Sequence, residues 1–167
     1  MTPLDPDALF TCLDKHRVKY VLIGGLAAVL HGSPLPTVDA DICPLREADN
    51  LSRLAAALTD LDARIRSTDT PAGVPFPRDA TFLATVELLN LVTRVGDLDL
   101  AFEPAGGEDY ATLAPRARNV QVRGIVIPVA ALEDVIKSKE AANRPKDQRS
   151  LPVLRQLLEE LRRRGEV

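Results

Sequence analysis

An apolar run, Tyr20-Val21-Leu22-Ile23, is cut off by Gly24-Gly25, and thirteen residues later two aspartates stand two apart in Asp39-Ala40-Asp41-Ile42. A short apolar run bounded by glycine suits a buried strand. The glycines end it and open Leu26 to His31, long enough for about two helical turns. Gly32-Ser33-Pro34-Leu35-Pro36 forbids a longer helix, because each proline removes a donor and pushes its predecessor toward extended backbone. Thr37 to Pro44 is then the next extended segment, and it carries both aspartates. Side chains alternate across a strand, so residues two apart project the same way, roughly 6 to 7 Å from each other. Asp39 and Asp41 therefore form one same-face carboxylate pair, which needs a positive neighbour. An all-oxygen donor set suits a hard divalent cation, and magnesium is the natural candidate.

The glycines complement the acids. A turn without side chains lets backbone N–H groups at a helix N-terminus come close to phosphate oxygens, so Gly24 and Gly25 are candidates for seating a triphosphate. A third carboxylate is available in Gly96-Asp97-Leu98-Asp99-Leu100 if that strand lies beside the first. Asp97 and Asp99 lie two apart and both could face the cation, so spacing leaves the choice open. Three acids around two metal ions roughly 3.5 to 4 Å apart would activate an attacking hydroxyl and stabilise a leaving pyrophosphate.

The remaining pattern predicts alternating helices and strands. Asp5-Pro6-Asp7 caps a helix over Ala8 to Lys15. Asn50 to Leu61 has helical apolar spacing, Ala63 to Arg66 reads as a strand, and the segment from Asp69 to Arg78, with three prolines and a glycine, reads as a loop. Asp79 caps a helix from Ala80 to Glu87. Leu88 to Val95 and Leu98 to Phe102 are strands, Glu108 to Arg116 is helical, and Asn119 to Val122 with Ile125 to Val129 form a hairpin around Arg123-Gly124. Two helices close the chain, Ala131 to Asn143 and Leu151 to Arg164. Ser150 would cap the last one with Pro152 in its first turn, leaving Asp147 free to join the site or pair with Lys139. The expected architecture is α/β (α+β): a short mixed sheet with flanking helices over 1–130, and a helical pair over 131–167 packed on it as the opposite wall of a cleft, in one domain.

Leu132, Val135, Ile136 and Ala142 form an apolar stripe on a helical wheel, and Lys139 falls within it. A lysine there needs a counter-charge, which a nucleotide's phosphates would supply. Lys137 falls on the other side, four residues after Glu133, where a solvent-exposed ion pair is expected. His31 reads as a helix-end residue without chemistry, and Arg162-Arg163-Arg164 as a solvated helix end.

Composition narrows the partners. With 4% aromatic residues a base-stacking platform is not expected, and a net charge of −3 means that any nucleic acid would have to meet a local basic patch. Cys12 and Cys43 are far apart and outside any metal-ligand spacing, which suits packed thiols in a reducing cytoplasm. No apolar run approaches the roughly 18 residues needed to span a bilayer, so no membrane association is expected.

The apolar strand, Gly-Gly and spaced Asp-x-Asp resemble the signature of the polymerase β nucleotidyltransferase superfamily, and Ile23 to Pro44 is similar to its minimal bacterial members. Leu132-Glu133-Asp134-Val135-Ile136-Lys137-Ser138-Lys139, followed by Arg144-Pro145-Lys146-Asp147, resembles the AbiEii and MenT toxin branch. The resemblance implies the nucleotidyltransferase fold and transfer of a nucleoside monophosphate from a nucleoside triphosphate, with two Mg2+ ions on Asp39, Asp41 and Asp99. It further implies Lys139 as a catalytic residue at the phosphates, nucleotide contacts from Gly24, Gly25, Ser33 and Asp147, and a regulatory phosphosite at Thr37. Toxin relatives modify the 3′ end of tRNA, which implies a tRNA acceptor and a cognate antitoxin partner. Relatives commonly carry a basic residue where this chain has Leu35-Pro36. Two rival readings remain: transfer to a small molecule or protein hydroxyl, and a non-catalytic module that binds nucleotide or a partner.

Overall fold

The computed structural model describes residues 2–167. Helix α1 (Pro6–Lys15) is capped by the Asp5 carboxylate, which accepts from Ala8 N at 3.1 Å. Strand β1 (Tyr20–Ile23) runs straight into α2 (Gly24–Leu30), so both glycines belong to the helix. Gly24 has φ +70°, and a methyl added there would overlap the Asp41 carboxylate, so conformation and space both demand glycine. The chain then returns as β2 (Asp39–Pro44), antiparallel to β1, with Ile23 opposite Asp41.

Helix α3 (Ala48–Asp60) buries Leu51, Leu54, Ala55 and Leu58, and β3 (Arg64–Ile65) follows as a two-residue edge. Helix α4 (Ala80–Leu83) is capped by Asp79 as expected but stops short of Glu87. The sheet takes over there, because Glu87 O accepts from Phe102 N at 2.9 Å. Strands β4 (Leu88–Thr93) and β5 (Gly96–Ala101) form a hairpin. Instead of one helix over Glu108 to Arg116, Asp109 caps the short α5 (Tyr110–Leu113), and Pro115 follows in a 3-10 turn, Ala114–Arg116.

Strands β6 (Arg118–Val122) and β7 (Ile125–Val129) make the second hairpin, and α6 (Leu132–Ala142) ends at Asn143 in the left-handed region. Helix α7 (Pro145–Arg163) begins six residues before the expected Leu151. Asp147 supplies the cap, accepting from Arg144 N at 3.1 Å, while Ser150 Oγ donates back to Asp147 O. Pro152 consequently lies inside the helix, where it removes one donor.

Among the described residues the strands form one seven-stranded mixed sheet, ordered β3-β4-β5-β2-β1-β7-β6. β2 and β5 are parallel, with Asp39 opposite Asp97 and Asp41 opposite Asp99. One hydrophobic core runs through the molecule, from Leu9 and Leu13 of α1 through Leu22, Ile42 and Leu98 of the sheet to Leu132, Leu154 and Leu158 of the last two helices. Cys12 and Cys43 are buried, unpaired thiols within it. No helix among the described residues is long and apolar enough to cross a membrane.

A buried amide ties α3 to the sheet. Asn50, with no exposed surface, accepts from Lys19 N at 2.7 Å and donates to Lys19 O and Leu45 O at 2.9 and 2.8 Å. Asn50→Ala would take the side-chain partner from Lys19 N and Leu45 O, while Lys19 O keeps its bond from Leu45 N, and is expected to destabilise the fold by about 2–4 kcal/mol. Urea unfolding should show the midpoint falling with the slope unchanged. An unaltered midpoint would mean that water replaces the amide.

Candidate active site

Two strands bring the acids together. Alternation along β2 and β5, combined with their register, puts Asp39, Asp41, Asp97 and Asp99 on one sheet face. Asp39, Asp41 and Asp99 each offer a carboxylate oxygen, and these lie within 4.8 Å of one another. Asp97 has a different partner: Arg66 Nε stands 3.3 Å from its Oδ2, and the same guanidinium donates from Nη2 to Asp99 Oδ1 at 2.9 Å.

The electrostatics of the three acids are those of a site short of positive charge. Burial pushes Asp41 up to about 7, and the charges of Asp39 and Asp99 add to the rise against the pull of Lys146 and Lys139. Burial also raises Asp99, while the charge and hydrogen bond of Arg66 oppose it. Three carboxylates with oxygen donors only, crowded enough to retain a proton near neutrality, fit a hard divalent cation. Asp39, Asp41 and Asp99 would hold it.

The acids open onto a cleft of about 980 Å3, whose lining includes Gly24, Gly25, Ser33, Thr37 and Lys139. A side chain at Gly25 would press on Thr37 Oγ1 at 3.1 Å. Thr37 precedes β2, and its hydroxyl donates to Asp39 O at 3.2 Å and stands 3.5 Å from Asp39 Oδ1. Ser33 is buried, and its Oγ accepts from Leu35 N in a local turn.

The opposite wall is α6 with the start of α7. The Lys139 side chain is 16% exposed, and its Nζ stands 3.5 Å from Asp147 Oδ1. The Asp147 side chain is fully buried and is bound by Arg144, whose Nε reaches Oδ2 at 2.7 Å. Burial alone would raise Asp147, but the hydrogen bonds from Arg144 hold it below the usual carboxylate range. Asp147 thus faces Arg144 and Lys139 rather than standing free between two helices. Lys137 is exposed, as expected, but it too borders the cleft, and its partner is Glu108 at 2.6 Å, not Glu133. The loop before α5 delivers Glu108, and Glu133 is met instead by Arg162 of α7 at 3.4 Å.

Arg66, Arg144, Lys146 and Arg149 also line the cleft and were not singled out from the sequence as site residues. Arg144 and Lys146 flank Asp147, so the correct start of α7 would have exposed them. Arg66 carries no local signal, because it reaches the acids from just past β3, two strands away from β5. A second convergence, Cys12, His16 and Asp60, lies elsewhere on the molecule. There Asp60 is already paired with His16 at 2.5 Å and Lys15 at 3.2 Å, and burial raises the Cys12 thiol, so the group reads as an ion-pair clasp between α1 and α3.

No protein-family model matches the sequence, and no curated protein does either. Solved structures do share the fold. A protein from Thermotoga maritima named for the nucleotidyltransferase class is 18% identical, with 95% of this chain and 97% of that one covered and a TM-score of 0.55. The lincosamide antibiotic adenylyltransferase LnuA, with lincomycin bound, is 18% identical over 93% of this chain and 99% of its own, at 0.60. The antibiotic-resistance factor ANT(2'')-Ia is 14% identical over 95% and 90%, at 0.53. The chain therefore has the nucleotidyltransferase fold over nearly its whole length.

The crowding of the acids makes stability depend on pH. Because Asp41 holds its proton up to about 7 in the folded chain, against 3.8 ordinarily, its stabilising proton is fully present below about 3.8 and lost as pH rises through about 7. In metal-free buffer the melting temperature should fall between pH 5.5 and 8 by roughly 4–8 °C more in the wild type than in Asp41→Asn, for a contribution of about 2 kcal/mol. Added magnesium should reverse the fall. Parallel melting profiles for the two proteins would show that Asp41 does not carry this proton.

Proposed function

We propose that this chain is a magnesium-dependent nucleotidyltransferase, moving a nucleoside monophosphate from a nucleoside triphosphate to an acceptor hydroxyl. The observation that carries this reading is the convergence of Asp39, Asp41 and Asp99 across a cleft from Lys139, Arg144 and Lys146. Two bound Mg2+ ions would supply Lewis acidity at the phosphate and lower the pKa of the acceptor hydroxyl. The chain's own groups position the substrates. Gly24 and Gly25 remove side chains from the turn where the triphosphate lies, and Lys139 brings a positive charge to it. Asp147 takes no direct part: it holds Arg144 and Lys139 from behind, so that both cations are set before the nucleotide arrives.

For the acceptor, the resemblance to toxin nucleotidyltransferases favours the 3′ end of tRNA, with a cognate antitoxin as partner. Arg144, Lys146 and Arg149 along the cleft supply the local basic strip that a chain of net charge −3 needs for a polyanion. A second reading, a small hydroxylated molecule, is favoured by the cleft rim, where Val38 and Leu88 are 71% and 60% exposed. Two exposed apolar side chains beside the acids suit a compact acceptor with an apolar face.

Incubation with each labelled triphosphate and magnesium, with total tRNA in one arm and hydroxylated small molecules including lincosamides in another, separates the acceptors. Label should appear on one of them, and Asp41→Asn should reduce it roughly a thousandfold or more while the fold is kept. Near wild-type transfer by a folded Asp41→Asn protein would overturn the assignment.

The two lysines of α6 should separate as well. Lys139→Ala is expected to raise the KM for the triphosphate roughly 10- to 100-fold, the loss of a charge-assisted phosphate contact, whereas Lys137→Ala loses only an exposed ion pair and should change it little. The reverse order in steady-state kinetics would place the phosphates elsewhere in the cleft.

A further inference from the structure

Four carboxylates share one sheet face, yet only three of them converge. The register places Asp97 beside Asp39 and Asp99 beside Asp41, so a block of four acids would form if nothing intervened. Arg66 intervenes. Its Nη2 donates to Asp99 Oδ1 at 2.9 Å and to Leu91 O at 3.1 Å, and its Nε lies 3.3 Å from Asp97 Oδ2. The planar fork of a guanidinium spans two carboxylates in a fixed geometry that the point charge of an ammonium does not impose.

The contact is not a relaxed one. Arg66 Nε is buried and makes no hydrogen bond that satisfies the geometry, despite its closeness to Asp97. Strand β3, which Arg66 directly follows, is two residues long and is held by a bridged loop, with Ile65 and Val74 exchanging backbone hydrogen bonds at 2.9 and 2.8 Å and Arg66 N donating to Asn90 O at 2.9 Å. Gly73 in that loop has φ +81°, and a Cβ there would collide with Val92 and Arg64. The backbone around the arginine is thus closely specified, although the edge strand contributes little to the core.

We infer that Arg66 is a positioning residue that divides the four acids, neutralising Asp97 and fixing Asp99 by Oδ1 so that its other oxygen serves the cation site. This rests on the reading of Asp39, Asp41 and Asp99 as a divalent-cation site. In this role Arg66 acts through Asp99, to which it is hydrogen bonded. Its effect on the site is twofold and opposed. A fixed positive charge a few ångströms away weakens cation binding, while the aim it gives to Asp99 serves turnover.

The opposed effects make the inference testable. Mn2+ binding to the purified full chain, read by the loss of the free-ion electron paramagnetic resonance signal, should be tightened roughly tenfold by Arg66→Met, because one positive charge leaves the acid block. The kcat for transfer should fall in the same variant. Arg66→Lys, which keeps the charge but not the fork, should bind Mn2+ like the wild type and recover kcat only in part. Adding Asp97→Asn to Arg66→Met removes the acid that lost its partner and should bring Mn2+ affinity back toward the wild-type value.

A merely structural arginine predicts otherwise, since a loosened edge strand would weaken binding. Unchanged or weaker Mn2+ binding by Arg66→Met overturns the inference. Asp41→Asn separates the two levels: if it binds Mn2+ as well as the wild type, the cation-site reading falls and the role of Arg66 with it. If Asp41→Asn loses Mn2+ while Arg66→Met fails to tighten it, only the role of Arg66 falls.

Discussion

The parallel pairing of β2 with β5 is the constraint on which the rest of this molecule depends. It brings carboxylates from two distant parts of the chain onto one face at strand spacing, where mutual repulsion and partial burial work against full ionisation. Such an arrangement persists only if the surrounding structure over-determines it. Ala40, Ile42, Leu98 and Leu100, which alternate with the acids on the same strands, are fully buried on the opposite face. A slip of one residue in either strand would turn these apolar side chains toward the cleft and drive the acids into the core. The apolar half of each strand thus enforces the register that the charged half resists.

Counter-charges are arranged asymmetrically around this block. Arg66 sits on the sheet side, in contact with the acids. Lys139, Arg144 and Lys146 belong to the helical wall, and two of them are themselves held by a buried acid, Asp147. A fully buried carboxylate between two cations is costly to assemble and strongly destabilising to break, so its value lies in fixing geometry rather than in net stability. The helical wall therefore presents pre-set positive charge to the cleft without collapsing onto the acids. The cleft lies between the two sets of charges.

What could be read from the sequence was local. Gly24-Gly25 and Asp39-Ala40-Asp41 are recognisable because a turn and a strand impose their meaning within a few residues. Most helices and strands were legible for the same reason, through apolar periodicity and through caps such as Asp5 and Asp79. Spacing alone did not choose between Asp97 and Asp99, and only the resemblance pointed to Asp99, which is the one that converges with Asp39 and Asp41; Arg66, which contacts both, comes from a distant part of the chain. The start of α7 was misplaced because Ser150 and Pro152 look like a helix beginning, whereas Asp147 is close enough to Arg144 to cap the chain six residues earlier. Lys137 found Glu108 rather than Glu133 because a loop contact outcompeted an intrahelical pair worth only about 0.2–0.5 kcal/mol.

A residue with no chemistry of its own helps to tie the two walls of the cleft together. His31 ends α2, the helix that begins at the glycine turn, and its buried ring meets Ala130 O at 2.7 Å through Nε2. Since a carbonyl only accepts, Nε2 carries the proton in this contact. Ala130 in turn donates its backbone N–H to Leu22 O at 2.8 Å, and it lies two residues before α6 begins. One short path therefore links the strand that leads into the glycines, the helix that they start, and the helix that carries Lys139. Because each link is a buried hydrogen bond whose loss would strand a polar group, the path resists stretching. Lys139 is thereby tied to the strand that leads into the glycines although it stands on a separate element, and direct packing of α2 on α6 reinforces the tie.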